Sequence, residues 1–380
     1  MTDRERQLDQ LLGLVAGHMD LDHCREVDER YVRALSWQEV DHPPLVVMPA
    51  FGAGIALPKP YDGFKRYTYS ETFDSPCAML VNMLLDRVVP GILLKDDSPL
   101  SVRNNHGTIQ IASILGGKWQ LYEDNFPWVA PLGSMEALEK VANSTGPVPD
   151  DAGILPRSFE TLRFYQAKLA QHPPCAEAIQ ISLPDLQGPI DTAEQLWGSE
   201  IYYSLTDAPD LLHRLLTRIV DVTLDVSARF RKFATDRLDP AANTQHGHVI
   251  PGRILLRNDS SIMLSPKAYA EFVRPHDARL LREIGTGSLH FCGNGQHLIE
   301  PMLEIPDLRG LDFGEIHLMD AQWIYAACRE RKVAVMPYRP SREDLISGKA
   351  RRDYPTGVVF VYTAKSIEEA REVVGAHAEG

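Results

Sequence analysis

Ser288-Leu289-His290-Phe291-Cys292-Gly293-Asn294 is a short apolar run closed by turn residues. In a β-strand, residues two apart share a face, so His290 and Cys292 project together, an imidazole beside a thiol. Both are ligand types that zinc accepts. Alone, the pair reads as readily as a buried histidine next to a structural cysteine. Twenty residues on, Leu308-Arg309-Gly310-Leu311-Asp312-Phe313-Gly314-Glu315 reads as a second strand and loop, and the intervening Leu298 to Leu303 stretch has a helical pattern. A strand, a helix and a strand in this order form a right-handed crossover that keeps both strands parallel, with their carboxyl ends together. Glu315 is then expected at the mouth where His290 and Cys292 point. Most glutamates after strands are caps or surface groups. Three ligands and an open position, however, are the usual form of a catalytic zinc site.

Working outward, continuous apolar runs recur at Leu45–Met48, Val88–Leu94, Ala178–Ile181, Val249–Leu256, Ser288–Phe291, Leu308–Phe313, Val333–Met336 and Val358–Tyr362. Such runs suit strands buried on both faces. Helical patterns lie between most of them. The clearest carries Leu211, Leu212, Leu215, Leu216, Ile219 and Val220 behind Thr206-Asp207-Ala208-Pro209, which reads as a cap signal. Ser265-Pro266 opens another helix, and Ser366-Ile367-Glu368-Glu369 has capping-box spacing. Eight strands alternating with helices predict an α/β fold of the (β/α)8 TIM-barrel kind. A doubly wound sheet is the alternative, but no Gly-rich phosphate loop follows the first strand.

Residues 1–40 are expected to form an N-terminal helical extension, with Leu8, Leu11, Leu12 and Val15 on one stripe, and 41–380 the barrel. The link at 96–174, between strands 2 and 3, is a long insertion suited to a substrate wall, to which Phe126 and Trp128 would contribute, with Tyr338 as a further aromatic candidate. The formal charge of -13, from 39 basic and 52 acidic residues, argues against a nucleic-acid or anionic-membrane surface. No 18-residue apolar span and no signal peptide are read from the sequence. The five scattered cysteines fit a reducing cytoplasm better than a disulfide framework. Homodimer formation is compatible with all of this.

In order along residues 43 to 375, the chain resembles the uroporphyrinogen decarboxylase superfamily, including its zinc-dependent, corrinoid-linked methyltransferase branch. The resemblance is carried by Leu183-Pro184-Asp185-Leu186-Gln187-Gly188-Pro189, Asp259-Ser260-Ser261-Ile262-Met263-Leu264-Ser265-Pro266, Tyr269-Ala270-Glu271-Phe272-Val273-Arg274-Pro275 and His290-Phe291-Cys292-Gly293. It implies a (β/α)8 barrel with its site at the strands' carboxyl ends. It also implies zinc held by His290, Cys292 and Glu315, and a corrinoid (cobalamin) co-substrate, expected on a partner corrinoid-binding protein.

Two departures shape the expectation. The loop after the first strand, Met48-Pro49-Ala50-Phe51-Gly52-Ala53-Gly54, lacks the arginines that true uroporphyrinogen decarboxylases use to hold substrate carboxylates. The methyltransferases' last cysteine is also missing, because Phe360-Val361-Tyr362-Thr363-Ala364-Lys365 has none. Either zinc takes three protein ligands plus substrate or water, or the site no longer binds metal.

The expected reaction is methyl transfer between a small methyl ether, amine or thiol and a corrinoid, with Asp185, Asp259, His246 and His248 orienting substrate or carrying protons. His246-Gly247-His248 begins its strand, which on the barrel rule places the pair away from the mouth. The alternative is a decarboxylase or lyase acting on a small non-porphyrin carboxylate, with Arg253, Arg257 and Arg339 as the cations that would meet it.

Overall fold

The structure is a computed structural model that describes residues 2–49, 57–122, 124–235 and 242–379. Most of the loop after the first strand therefore lies outside the described residues. The fold is mixed α/β around a seven-stranded sheet in which every recorded pairing is parallel. Helix α1 (Asp3–His18) and helix α2 (Leu21–Leu35) come first. The strands are β1 (Leu45–Pro49), β2 (Ser101–Val102), β3 (Lys118–Gln120), β4 (Trp128–Ala130), β5 (Gln180–Ile181) and β6 (Leu186–Gln187). They continue as β7 (Ala242–Gln245), β8 (His248–Pro251), β9 (Leu255–Arg257), β10 (Gly287–Phe291), β11 (Leu308–Phe313), β12 (Ala334–Tyr338) and β13 (Val358–Ala364). The sheet runs β1-β13-β12-β11-β10-β9-β6, and β2 pairs separately with β5, also in parallel.

Alternation along each strand sorts the apolar residues into two clusters. Leu256, Leu289, Leu311, Val335 and Phe360 face the surrounding helices. Leu255, Ala334, Met336 and Val359 face the other way. There they meet Val249 and Ile250 of a β7–β8 hairpin, with Val27, Tyr31 and Leu35 of α2 beneath. The hairpin fills the inner face of the sheet. α1 buries the expected stripe of Leu8, Leu11, Leu12 and Val15, but α2 is not merely an outer helix, because its apolar residues close one end of that inner space.

Four sequence expectations need correction. Val88–Leu94 is not a strand. It ends a helical run, Pro76–Leu94, that passes through a π turn at Leu84–Val88. The wider turn shifts bonding to i–5, with Val89 N–H reaching Leu84 O, immediately before Pro90, which has no N–H to give. This run is also apolar and long enough to cross a membrane by length and composition, unlike the sequence reading, and 67% of its apolar window is buried inside the fold. Apolar on nearly all sides, it is built as a core helix.

Val249–Leu256 is two strands rather than one. Gly252 turns the chain with φ +89°, and a Cβ there would lie 2.4 Å from Gly287 Cα. At Ala208 no side chain caps the Pro209–Phe230 helix, whereas Ser265 and Ser366 do accept the expected N–H groups of Ala268 and Glu369. The insertion between β2 and β5 holds the β3–β4 hairpin and the Leu155–Leu169 helix. Phe126 and Trp128 are both exposed there, and Tyr338 stacks on Tyr354 with ring centroids 4.4 Å apart.

Two buried acids tie loops to this frame. Asp96 accepts Val47 N–H (2.6 Å). Asp277 accepts Tyr269 Oη–H (3.0 Å) and an Asn258 amide N–H (2.6 Å). Burial pushes each up to about 7, against the hydrogen bonds that favour its charged form. A folded pKa above the unfolded one means stability that is full below the ordinary carboxyl pKa of 3.8 and is lost as pH rises through about 7. These two groups therefore contribute less stability at pH 7.5 than at pH 5. Asp277→Asn, which cannot titrate, should flatten that dependence. Equal slopes for the variant and the parent would rule Asp277 out as a contributor.

Candidate metal centre

The ladder register aligns the polar residues of the inner face. Arg257 pairs with His290 across β9–β10, and His290 with Asp312 across β10–β11, so the three side chains stand side by side. Asp312, 1% exposed, is the hub. His290 Nδ1–H donates to its Oδ1, His246 Nδ1–H to the same oxygen (3.1 Å), and His248 Nε2–H to Oδ2 (2.8 Å). Burial alone would raise this carboxyl. His246 and His290 reverse that and hold it well below the usual range. Burial likewise opposes charge on His290, but Asp312 and a contact with Cys292 push its pKa up to about 10.

The two histidines that sequence reasoning set aside belong here. His246 and Gly247 are the two-residue tip of the hairpin, with φ +54° and +88°, the positive pair that a type I′ turn requires. His248 does begin β8, but β8 lies in an antiparallel hairpin on the sheet's inner face, so its start reaches the carboxyl ends of the parallel strands.

With Nδ1 committed to Asp312, His290 presents Nε2 outward. Cys292 Sγ is 3.4 Å from it and Asp259 Oδ1 is 3.6 Å from it. The ligand atoms of Asp259, His290 and Cys292 all lie within 4.8 Å of one another. Bonds of about 2.0–2.3 Å to one tetrahedral ion set ligand atoms about 3.3–3.7 Å apart. The spacings therefore suit zinc. A histidine backed by a carboxylate is also the common way to fix the tautomer of a ligand.

His246, His290 and Asp312 are equally close, but there the nitrogens are already used. His246 Nε2 accepts a hydrogen bond from Arg257 Nη2, and burial, the largest influence, lowers its pKa. That group is an electrostatic support.

Of the sequence candidates, His290 and Cys292 come together as expected, and Cys292 is the one exposed cysteine among the five. Glu315 does not join them. Its Oε2 accepts Gly293 N–H at 2.6 Å, and Gly314 packs beneath the thiol, where a Cβ would lie 2.7 Å from Cys292 Sγ. The carboxylate at the thiol is that of Asp259, which also accepts Cys292 N–H (2.7 Å). Asp191 holds that turn by accepting Asp259 N–H and Ser260 N–H, both at 2.9 Å.

Asp185 is buried and accepts Arg257 Nη2 (2.6 Å) and Arg103 Nη1 on one oxygen. Burial works against its charge, but the two guanidinium groups hold it well below the usual carboxylate range. Arg253 sits at the opposite end of the sheet, its N–H on Thr286 O (3.0 Å), and Arg339 is exposed. The missed residue is Asp312, whose signal was a lone acid inside an apolar strand. Compared with known proteins, the chain matches no protein-family model and no curated sequence.

Proposed function

We propose that this chain is a zinc-dependent methyltransferase that moves a methyl group between a small ether, amine or thiol and a corrinoid carried by a partner protein. The observation that carries the metal half is that Cys292 Sγ and Asp259 Oδ1 lie 3.4 and 3.6 Å from His290 Nε2, with Asp312 behind the imidazole. The corrinoid half rests on the sequence resemblance to the uroporphyrinogen decarboxylase superfamily.

The proposal includes a closed (β/α)8 barrel. β5 and β6 belong to one extended stretch, which joins β2 to the seven-stranded sheet. At the remaining seam, Asp97 N–H reaches Leu45 O (3.0 Å), and the Asp97 and Asp96 carboxylates accept Leu45 N–H and Val47 N–H. Side chains there stand in for a ladder.

In this reading His290, Cys292 and Asp259 are the protein ligands, and Glu315 braces the Gly293 loop. A bound zinc supplies Lewis acidity, which lowers the pKa of a coordinated thiol or withdraws charge from a methyl-bearing oxygen or nitrogen. Asp312 keeps His290 Nε2 facing outward. Cys292 and the 42%-exposed Asp259 side chain leave the site open to an incoming substrate. Met263 and Leu318, both exposed and both in turns that follow the carboxyl ends of β9 and β11, give the rim apolar contacts for a docking protein.

The decarboxylase alternative loses support at the arginines first assigned to it. Arg257 is committed to Asp185 and His246, Arg253 lies before the start of β9, at the other end of the sheet, and Arg339 is exposed. The test follows the corrinoid spectrum when the zinc-loaded protein meets methylcobalamin or cob(I)alamin with thiols, methyl ethers and methylamines. A methylation or demethylation spectrum is expected with at least one class. Carbon dioxide release from an unsaturated or aromatic acid, with no spectral change across the panel, would replace methyl transfer by decarboxylation.

A further inference from the structure

Arg87 is a cation that makes no ion pair among the described residues. It lies in the π turn of the Pro76–Leu94 helix and turns toward the hairpin tip. There its Nη1 is 4.0 Å from Met48 Sδ and 2.9 Å from where a Cβ on Gly247 would stand. Among the described residues no carboxylate pairs with it, and its nearest acidic neighbour in sequence, Asp86, is paired with Arg66 (2.8 Å). Burial, and after it the charge of Arg103, disfavour its protonated form. Arg103 and Arg257 already share the single carboxylate of Asp185. Three guanidinium groups therefore gather near the Asp185 carboxylate, and two of them pair with it.

Arg87 and Arg103 line a small cavity of about 20 Å³ together with Ser182, Thr244, His246 and Gly247. His246 connects this cavity to the metal centre, because its Nδ1 is 3.1 Å from Asp312. An unpaired, partly buried arginine costs stability, and such local violations gather where a ligand completes the structure.

We propose that Arg87 and Arg103 form an anion-binding pocket beside the metal centre, and that its ligand is a carboxylate on the small molecule processed there. The second half rests on the proposed metal chemistry, but the first does not. Arg103 already gives Nη1 to Asp185 and to Gln245 Oε1 (3.2 Å), so the Arg87 fork supplies the free donors. One fork matches one planar carboxylate held through two parallel N–H bonds. A phosphate would leave oxygens unmet.

The test is titration calorimetry on the full chain after metal removal by a chelator, at fixed ionic strength, with benzoate, inorganic phosphate and benzyl alcohol. Benzoate should bind at least about 10-fold more tightly than either of the others, the scale of one charge-assisted pair. Arg87→Met should lose benzoate binding by at least that factor while its melting temperature stays level or rises, because a buried unpaired charge has gone. Arg87→Lys should keep part of the affinity.

Equal benzoate binding by parent and Arg87→Met, or no binding by the parent, overturns the pocket. Phosphate binding more tightly than benzoate overturns the carboxylate assignment. A protein that takes up zinc but ignores benzoate defeats only this inference. One that binds benzoate through Arg87 but takes up no zinc defeats only the metal reading.

Discussion

Cys292→Ser is expected to strip the protein of its metal. The parent chain, supplemented with zinc and dialysed, should retain about one ion, the stoichiometry of a three-ligand site. The serine variant should retain almost none. Loss of partners behind a ligand alone costs about 10- to 100-fold in affinity, and loss of a thiolate ligand should cost at least as much. Folding should be unaffected, since Cys292 is exposed while Cys24, Cys77, Cys175 and Cys328 are buried. For the same reason a thiol reagent should label the native chain at Cys292 first, and zinc should protect it. The comparison that separates the two ligand sets is Asp259→Asn against Glu315→Gln. Asp259→Asn should lose zinc, and Glu315→Gln should keep it with a looser Gly293 loop. The reverse result would restore Glu315 as the third ligand and make Asp259 the brace.

That contrast shows what the chain order reveals and where it stops. The His290–Cys292 pair could be read directly, because strand alternation is local and needs no partner. Choosing the third ligand needs the register between strands. Arg257 pairs with His290, so Asp259 and Cys292 each stand two residues beyond a matched pair, just past the carboxyl ends of neighbouring strands. His290 pairs with Asp312, which puts Gly314 level with Cys292 and leaves Glu315 one residue out of phase. A carboxylate 23 residues downstream looked like the partner, and one 33 residues upstream meets the thiol. The parallel α/β layers were legible for a similar reason. The runs at Leu45, Ser288, Leu308, Val333 and Val358 are apolar on both faces, and only a sheet covered on both sides buries such runs. The same criterion misread Val88–Leu94, because a core helix buried on most sides is also a continuous apolar run, and length and β-branching do not separate the two over seven residues. The hairpin that carries His246 and His248 could not be placed by the barrel rule, which speaks only of the strands in the parallel ladder.

Asp312→Ala is expected to do more damage to the fold than any change at the metal ligands. The carboxylate is 1% exposed and receives His246, His248 and His290. Its removal leaves His290 with only the more distant, partly exposed Asp259 carboxylate (3.6 Å) as counter-charge, and His246 and His248 without their acceptor. Breaking a buried charged pair from one side costs about 3–5 kcal/mol, a large share of the stability of an ordinary domain. The pH dependence gives an independent check. Asp312 is held below its ordinary value, so its contribution is present above the unfolded pKa of 3.8 and lost as pH falls through the folded one. His290 is raised, so its contribution is complete below 6.5 and lost as pH rises through about 10. In the metal-free protein the stabilisation from this pair is therefore greatest between about pH 4 and 6.5, and the gap between parent and Asp312→Ala in chemical denaturation should be widest there. Asp312→Asn separates charge from shape. It keeps a side-chain oxygen for one imidazole N–H but removes the negative charge, so His290 should titrate at a lower pH and zinc affinity should fall by about 10- to 100-fold. A neutral amide that preserved both stability and zinc binding would show that Asp312 serves only as a hydrogen-bond acceptor, and the electrostatic account of this centre would fail.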